Sequence, residues 1–208
     1  MNIYDISMRI DEGMTIYKDK KEKRPQLTVV RDFNSGDLYE SRILMDLHCG
    51  THLDAPLHAV RGGKSIDVQD LSQVVGKCKV LDFTHLSETI GQKDLAQKDI
   101  GLGDFILLKT KNSYSDRFDP YFVYLAEEGA QFIKGKGVRG VGIDALGIER
   151  SQPGHPTHTL LLAAGITILE GLRLADVKHG EYFLCAAPLK ILNAEAAPVR
   201  AFLIEAQA

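Results

Sequence analysis

The chain contains no tryptophan and only three cysteines in 208 residues, and neither sign of charge dominates, with 25 Lys plus Arg against 28 Asp plus Glu. Each shortage excludes something. Cys49, Cys78 and Cys185 are odd in number and widely separated, so they form neither a disulfide framework nor a Cys-x-x-Cys metal knuckle, and a reducing compartment is the simpler setting. Without a basic excess to neutralise phosphates, nucleic acid is not an expected partner. The longest apolar run, residues 160–169, includes Gly165 and falls well short of the roughly 20 residues a membrane span needs. The opening MNIYDISMRIDEGM lacks the charged and apolar regions of an export signal. The expectation is a soluble, cytoplasmic protein with no membrane partner.

What is present is ordinary globular material. Hydrophobic residues make up 44% of the chain, and a chain of this length folds without help from a metal or disulfide. Any metal site is therefore free to serve function. No repeat and no Ser/Gly/Pro-rich linker interrupts the chain, so residues 1–208 read as a single domain. Strand-like runs recur at 3–7, 27–33, 39–47, 78–83, 105–109, 140–143, 165–169, 182–186 and 199–204, several nearly all apolar, as in strands covered on both faces. A helix is expected over 120–134, with Pro120 at its first position, one face formed by Phe122, Leu125, Ala126, Gly129 and Ile133, and Gly135 and Gly137 ending it. A shorter one is expected over 157–164, between Thr157 as N-cap and Gly165 as terminator. This interleaving predicts a mixed α/β fold.

The densest chemical signal is DLHCGTHLDAPLH, residues 46–58, which places His48, His52, Asp54 and His58 within eleven residues. All four fall at even positions, on one face of any continuous strand. Full extension would carry His48 and Asp54 roughly 20 Å apart, however, whereas metal bonds of about 2 Å need convergent side chains. Gly50 and Pro56 supply the chain reversals, and they argue against a helix. The expected arrangement is a strand ending near His48, then a tight loop presenting His52, Asp54 and His58. Cys49 points to the opposite face and reads as a small packed residue. Farther on, PTHTLLLAAGITILEGL, residues 156–172, would bring a histidine at a helix start toward Glu170 at a strand end. The residues alone leave His155 and His158 as alternatives there.

HCGTHLDAPLH resembles the H-x-G-T-H-x-D-x-P-x-H signature of the cyclase-like metal-dependent hydrolases, the family of bacterial kynurenine formamidase and isatin hydrolase. PTHTLLLAAGITILEGL is similar to its second signature, P-x-H-x-x-L-L-x-x-G-I-x-x-x-E, and the opening residues 3–7 and the Gly142-Ile143-Asp144 triplet resemble further landmarks. The resemblance implies a cyclase-like (swivelling β/β/α) fold and two divalent metal ions. His48, His52 and Asp54 would hold one ion, and Asp54, His158 and Glu170 the second, with Asp54 bridging. Zinc is expected, with manganese the alternative. The resemblance also selects His158 over His155 and makes His58 the proton shuttle. It implies hydrolysis of the C–N bond of a small amide, formamide or lactam by a homodimer, with arylformamidase activity first and isatin-type ring opening next. A catalytically silent metal- or small-molecule-binding protein on the same fold is the rival, and the non-ligand imidazole of His58 argues against it.

One segment departs from the family pattern. Kynurenine formamidases carry an aromatic-rich loop near the N-terminus, often with a tryptophan. Here the matching residues, MTIYKDKKEKRP at 14–25, hold Tyr17 as the only aromatic, followed by Lys18, Lys20, Lys21, Lys23 and Arg24. This run reads either as a solvated mobile loop or as a reader of a substrate carboxylate. The family's Asp-x-x-Ser segment is also altered, with Gly147 after Asp144.

Overall fold

The apolar runs of the sequence become the strands of a curled mixed sheet in the computed structural model, which describes residues 1–205. In chain order the elements are β1 (Ile3–Asp5), β2 (Gln26–Arg31), β3 (Glu40–Leu44), β4 (His52–Asp54), β5 (Val75–Asp82), β6 (Thr89–Ile90), α1 (Gln92–Leu95), β7 (Phe105–Lys109), β8 (Tyr124–Leu125), α2 (Glu127–Lys136), β9 (Gly140–Ile143), α3 (Pro156–Ala163), β10 (Thr167–Glu170), β11 (Gly180–Cys185), β12 (Ala196–Pro198) and β13 (Phe202–Glu205). Nine of the strands form one sheet in the order β1-β13-β11-β5-β7-β9-β10-β4-β12. The centre, β5-β7-β9-β10, is parallel; β4 and β12 continue it antiparallel on one side, and β11, β13 and β1 on the other.

Burial on both faces explains the apolar centre. Ile106 and Leu108 of β7 join Val141, Ile143 and Ile168 in a core under the helices, while Phe105 and Leu107 join Leu53, Leu169 and Leu184 in a second core on the opposite face. This alternation is the two-residue period of a strand. The mixed α/β class follows as expected.

Several local expectations are corrected. The helix expected over 120–134 begins only at Glu127, after the short strand β8, which pairs parallel to β6. Phe122, Val123 and Leu125 are buried all the same, ahead of the helix, and the Leu125 N–H donates to the Ile148 carbonyl at 2.9 Å. Apolar spacing over so few residues fits either geometry. Gly135 lies inside this helix, and Gly137 ends it in the left-handed region at φ 70°. The second helix starts one residue early: Pro156 takes the first position and His155, at φ 46°, is the cap residue, while Gly165 terminates the helix at φ 73°. Thr157 is no cap; its hydroxyl donates to the Leu125 carbonyl.

The runs at 27–33 and 39–47 do form strands, Gln26–Arg31 and Glu40–Leu44, but not covered ones. They pair with each other in a separate hairpin whose strand residues are all exposed. The second strand ends four residues before His48, which lies in a turn. His52 and Asp54 are not on a loop: β4 sits inside the main sheet between β10 and β12.

Candidate metal centre

Strand pairing builds the centre. In the antiparallel register of β4 and β10, Glu170 lies opposite His52 and Ile168 opposite Asp54. His52, Asp54 and Glu170 therefore share the face that carries Ile168 and the helices, while Leu53 points into the other core. Helix α3 crosses this face and lowers His158 onto it. The turn before β4 depends on a close backbone approach. Gly171, at φ 69°, lies so near the Gly50 carbonyl that any β-carbon would collide with it. Thr51 clamps the contact by donating its hydroxyl to the Gly171 carbonyl at 2.6 Å and accepting the Met8 N–H at 2.8 Å. Cys49 packs with Met8, Met14 and Ile16, and burial pushes its thiol up to about 11, as for a core residue.

Five side chains meet around Asp54. One of its oxygens, Oδ1, is 3.1 Å from His48 Nδ1 and 3.5 Å from His52 Nε2. The other, Oδ2, is 3.7 Å from His158 Nε2, which in turn is 3.2 Å from Glu170 Oε1. Glu170 Oε2 closes the ring at 3.4 Å from His52 Nε2. His58, on the turn Pro56–His58, stands at the rim, its ring centroid 4.2 Å from that of His48 and 5.5 Å from that of His158.

Burial of this many charges has to be compensated. Asp54 is 1% exposed, yet neither of its oxygens has a hydrogen-bond donor, and the buried His52 Nε2 also lacks a partner. Such orphaned groups are costly in a protein interior. Desolvation disfavours charged imidazole, but Glu170 and Asp54 raise His52 to about 9, and Glu149, Glu170 and Asp54 raise His158 to about 11. Glu170 is held well below the usual carboxylate range against its burial by the same two histidines. Ligand atoms also converge in overlapping triplets, His52–Asp54–Glu170 and His48–Asp54–His58, each within 4.8 Å. Once deprotonated, these buried nitrogens would join the carboxylate oxygens as a donor set that fits a divalent cation, which would take the place of the protons.

Glu149 and Glu195, which carry no sequence signal, help complete the surroundings. Glu149 accepts from His158 Nδ1 at 2.5 Å and from its backbone N–H at 3.2 Å, which turns Nε2 toward Asp54 and Glu170. His52 Nδ1 is fixed in the same way by the Gly50 carbonyl at 2.9 Å. Such outer partners set the tautomer and direction of a ligating imidazole. The Glu195 carboxylate lies 3.5 Å from His48 Nε2. Asp46 accepts the His48 N–H and pairs with Lys23 at 2.9 Å. His155 is largely exposed, 3.4 Å from Glu149. Asp144 lies apart from the centre, accepting from Thr110 and Ser113 and pushed up to about 6 by its burial.

A buried cluster of histidines and carboxylates, delivered by a mixed sheet and one crossing helix, defines a metal-dependent hydrolase. The chain belongs to the Cyclase family, described as "Putative cyclase", whose model matches residues 4–150. It is 32% identical over 209 residues to the kynurenine formamidase of Salinibacter ruber, spanning 99% of both chains. Among solved structures it is similar to a potential metal-dependent hydrolase with cyclase activity, at TM-score 0.93 and 49% identity over 100% of this chain and 99% of that one. Isatin hydrolase A from Labrenzia aggregata shares the fold, at TM-score 0.83 and 24% identity over 97% and 93% of the two chains.

Proposed function

We propose that the protein hydrolyses the C–N bond of a small amide, formamide or lactam with two divalent ions held at this centre, zinc before manganese. N-formylkynurenine is the first candidate substrate and an isatin-type cyclic amide the second. The observation that carries the reading is Asp54, a fully buried carboxylate with two undonated oxygens, one facing His48 and His52 and the other facing His158. That division supports Asp54 as the bridge, with His48 and His52 on one ion and His158 and Glu170 on the other.

When bound, such ions supply a water of lowered pKa and a Lewis acid for a carbonyl oxygen. The chain supplies the rest. Glu149 and the Gly50 carbonyl hold the two buried imidazoles in register. His58 stands outside that ring, on the open side of the cleft, and desolvation together with the charges of His48 and His158 keeps its pKa below the usual value. A neutral imidazole so placed takes a proton and returns it to the leaving nitrogen. The kynurenine formamidase relationship over the full chain supports the formamide substrate, and the free thiols of Cys49, Cys78 and Cys185 support a cytoplasmic setting. The apolar face that the hairpin of β2 and β3 leaves exposed, formed by Leu27, Val29 and Ile43, supports a homodimer.

The test is turnover of N-formylkynurenine, N-formylaniline and isatin by the metal-loaded enzyme and by His58→Ala. At least one substrate should be hydrolysed, and the variant should keep its metal while losing about 10²- to 10⁴-fold in kcat. Metal loss in His58→Ala would make His58 a ligand, and no turnover by the wild-type protein would leave a silent binding protein.

A further inference from the structure

We propose that Lys18 and Lys20 make the cleft over the metal centre selective for substrates carrying a carboxylate, in preference to neutral ones of the same shape. The inference rests on the amidohydrolase reading and deepens it. The cleft, about 370 Å³, is walled by Ile16, Tyr17, Lys18, Lys20 and Leu146, and His48, His58 and His158 lie along it.

A run of exposed lysines is ordinarily a solvated loop. This one is tied down at both ends. Before it, Ile16 is buried, the Tyr17 hydroxyl lies 2.8 Å from Ser151 Oγ, and the Tyr17 ring meets Phe118 edge-on at 5.4 Å. After it, Lys23 pairs with Asp46, the residue that accepts the His48 N–H, and Arg24 pairs with Asp19 at 2.8 Å. Between the ties, Lys18 and Asp19 both adopt the left-handed region, at φ 57° and 51°. Consecutive L-residues other than glycine rarely do so, and such backbone persists where surrounding contacts enforce it, often at binding sites. The turn folds Lys18 back until its ammonium lies 5.3 Å from the centroid of the Tyr17 ring.

The charges then do not balance. Each carboxylate lining the cleft already has a cationic or imidazole partner: Asp46 has Lys23, Glu149 has His158, and Glu170 has His52 and His158. Among the described residues no carboxylate lies within 4.0 Å of the Lys18 or Lys20 ammonium, so of the three lysines lining the cleft these two, unlike Lys23, have no carboxylate partner. A substrate carboxylate supplies the missing charge, at a place where the family's aromatic wall is absent.

The test compares N-formylaniline with N-formylanthranilate, which adds one ring carboxylate, using the metal-loaded full-length enzyme and its Lys18→Met, Lys20→Met and Lys21→Met variants. For the anthranilate, KM should rise roughly two- to fivefold in each of the first two variants, the size of one exposed ion pair, with little change in kcat. The neutral formanilide should be unaffected, and Lys21→Met, outside the cleft, should match wild type on both. Raising ionic strength until the Debye length falls from about 10 Å to about 3 Å should erode the wild-type preference in the same way. Equal effects on both substrates, or none, would overturn the inference. Calorimetric binding of anthranilate and aniline separates this from failure of the hydrolase reading. Binding of anthranilate that depends on Lys18 and Lys20, without turnover of either formanilide, leaves the inference standing and removes the activity. Turnover without lysine-dependent discrimination does the reverse. Lysine dependence is the readout, since a carboxylate also has affinity for the metals.

Discussion

Glu149 illustrates what a single residue does for the centre without joining it. It takes the Nδ1 side of His158 and so leaves Nε2 directed at Asp54 and Glu170. Glu149→Gln keeps the shape but presents an amide that no longer favours the same tautomer. Metal affinity, measured by competition with a chelating dye, is expected to fall about 10- to 100-fold, as for other outer partners of metal-bound histidines. Affinity equal to wild type would reduce the contact to packing. The sequence carried the proposed ligands but not this partner. His48, His52 and Asp54 announce themselves by density in one short segment, whereas Glu149 is one acid among 28 Asp plus Glu and becomes visible only when the loop after β9 folds back onto the first turn of α3.

At the scale of elements, the parity of His52 and Asp54 was legible and their setting was not. Even spacing correctly placed both on one face, but the three residues His52–Asp54 were too short a stretch to display a strand pattern between Gly50 and Pro56. Pairing on both sides, by β10 and β12, makes the strand. The 120–134 segment failed for the converse reason: its buried side chains satisfy a helical spacing while lying partly in extended backbone. The hairpin of β2 and β3 carries a prediction of its own. A two-stranded hairpin is marginal in water by itself, and here Leu27, Val29 and Ile43 form one apolar face, with Leu27 59% exposed. If that face is covered by a second copy of the chain, Leu27→Lys combined with Ile43→Lys should convert a dimer to a monomer in light scattering after size exclusion, with the fold intact by circular dichroism. A wild-type protein that runs as a monomer would contradict the homodimer.

At the scale of the molecule, a wide sheet brings distant parts of the chain to one place. Residues near 50, 150, 158 and 170 meet because β4 inserts beside β10, and the residues near 20 close over them through Asp46. Sheet order of this kind depends on pairings between segments more than a hundred residues apart, as for β4 with β10 and β1 with β13, which no local periodicity encodes. The family signatures in the sequence stood in for that information. The central claim is that this assembly exists to hold two metal ions across Asp54, and metal content per chain tests it most directly. Elemental analysis after reconstitution with zinc or manganese should give two ions in the wild-type protein, two in His58→Ala and none in Asp54→Asn, with Asp54→Asn still folded. A wild-type protein that holds no metal, or an Asp54→Asn protein that holds both ions, would contradict the account.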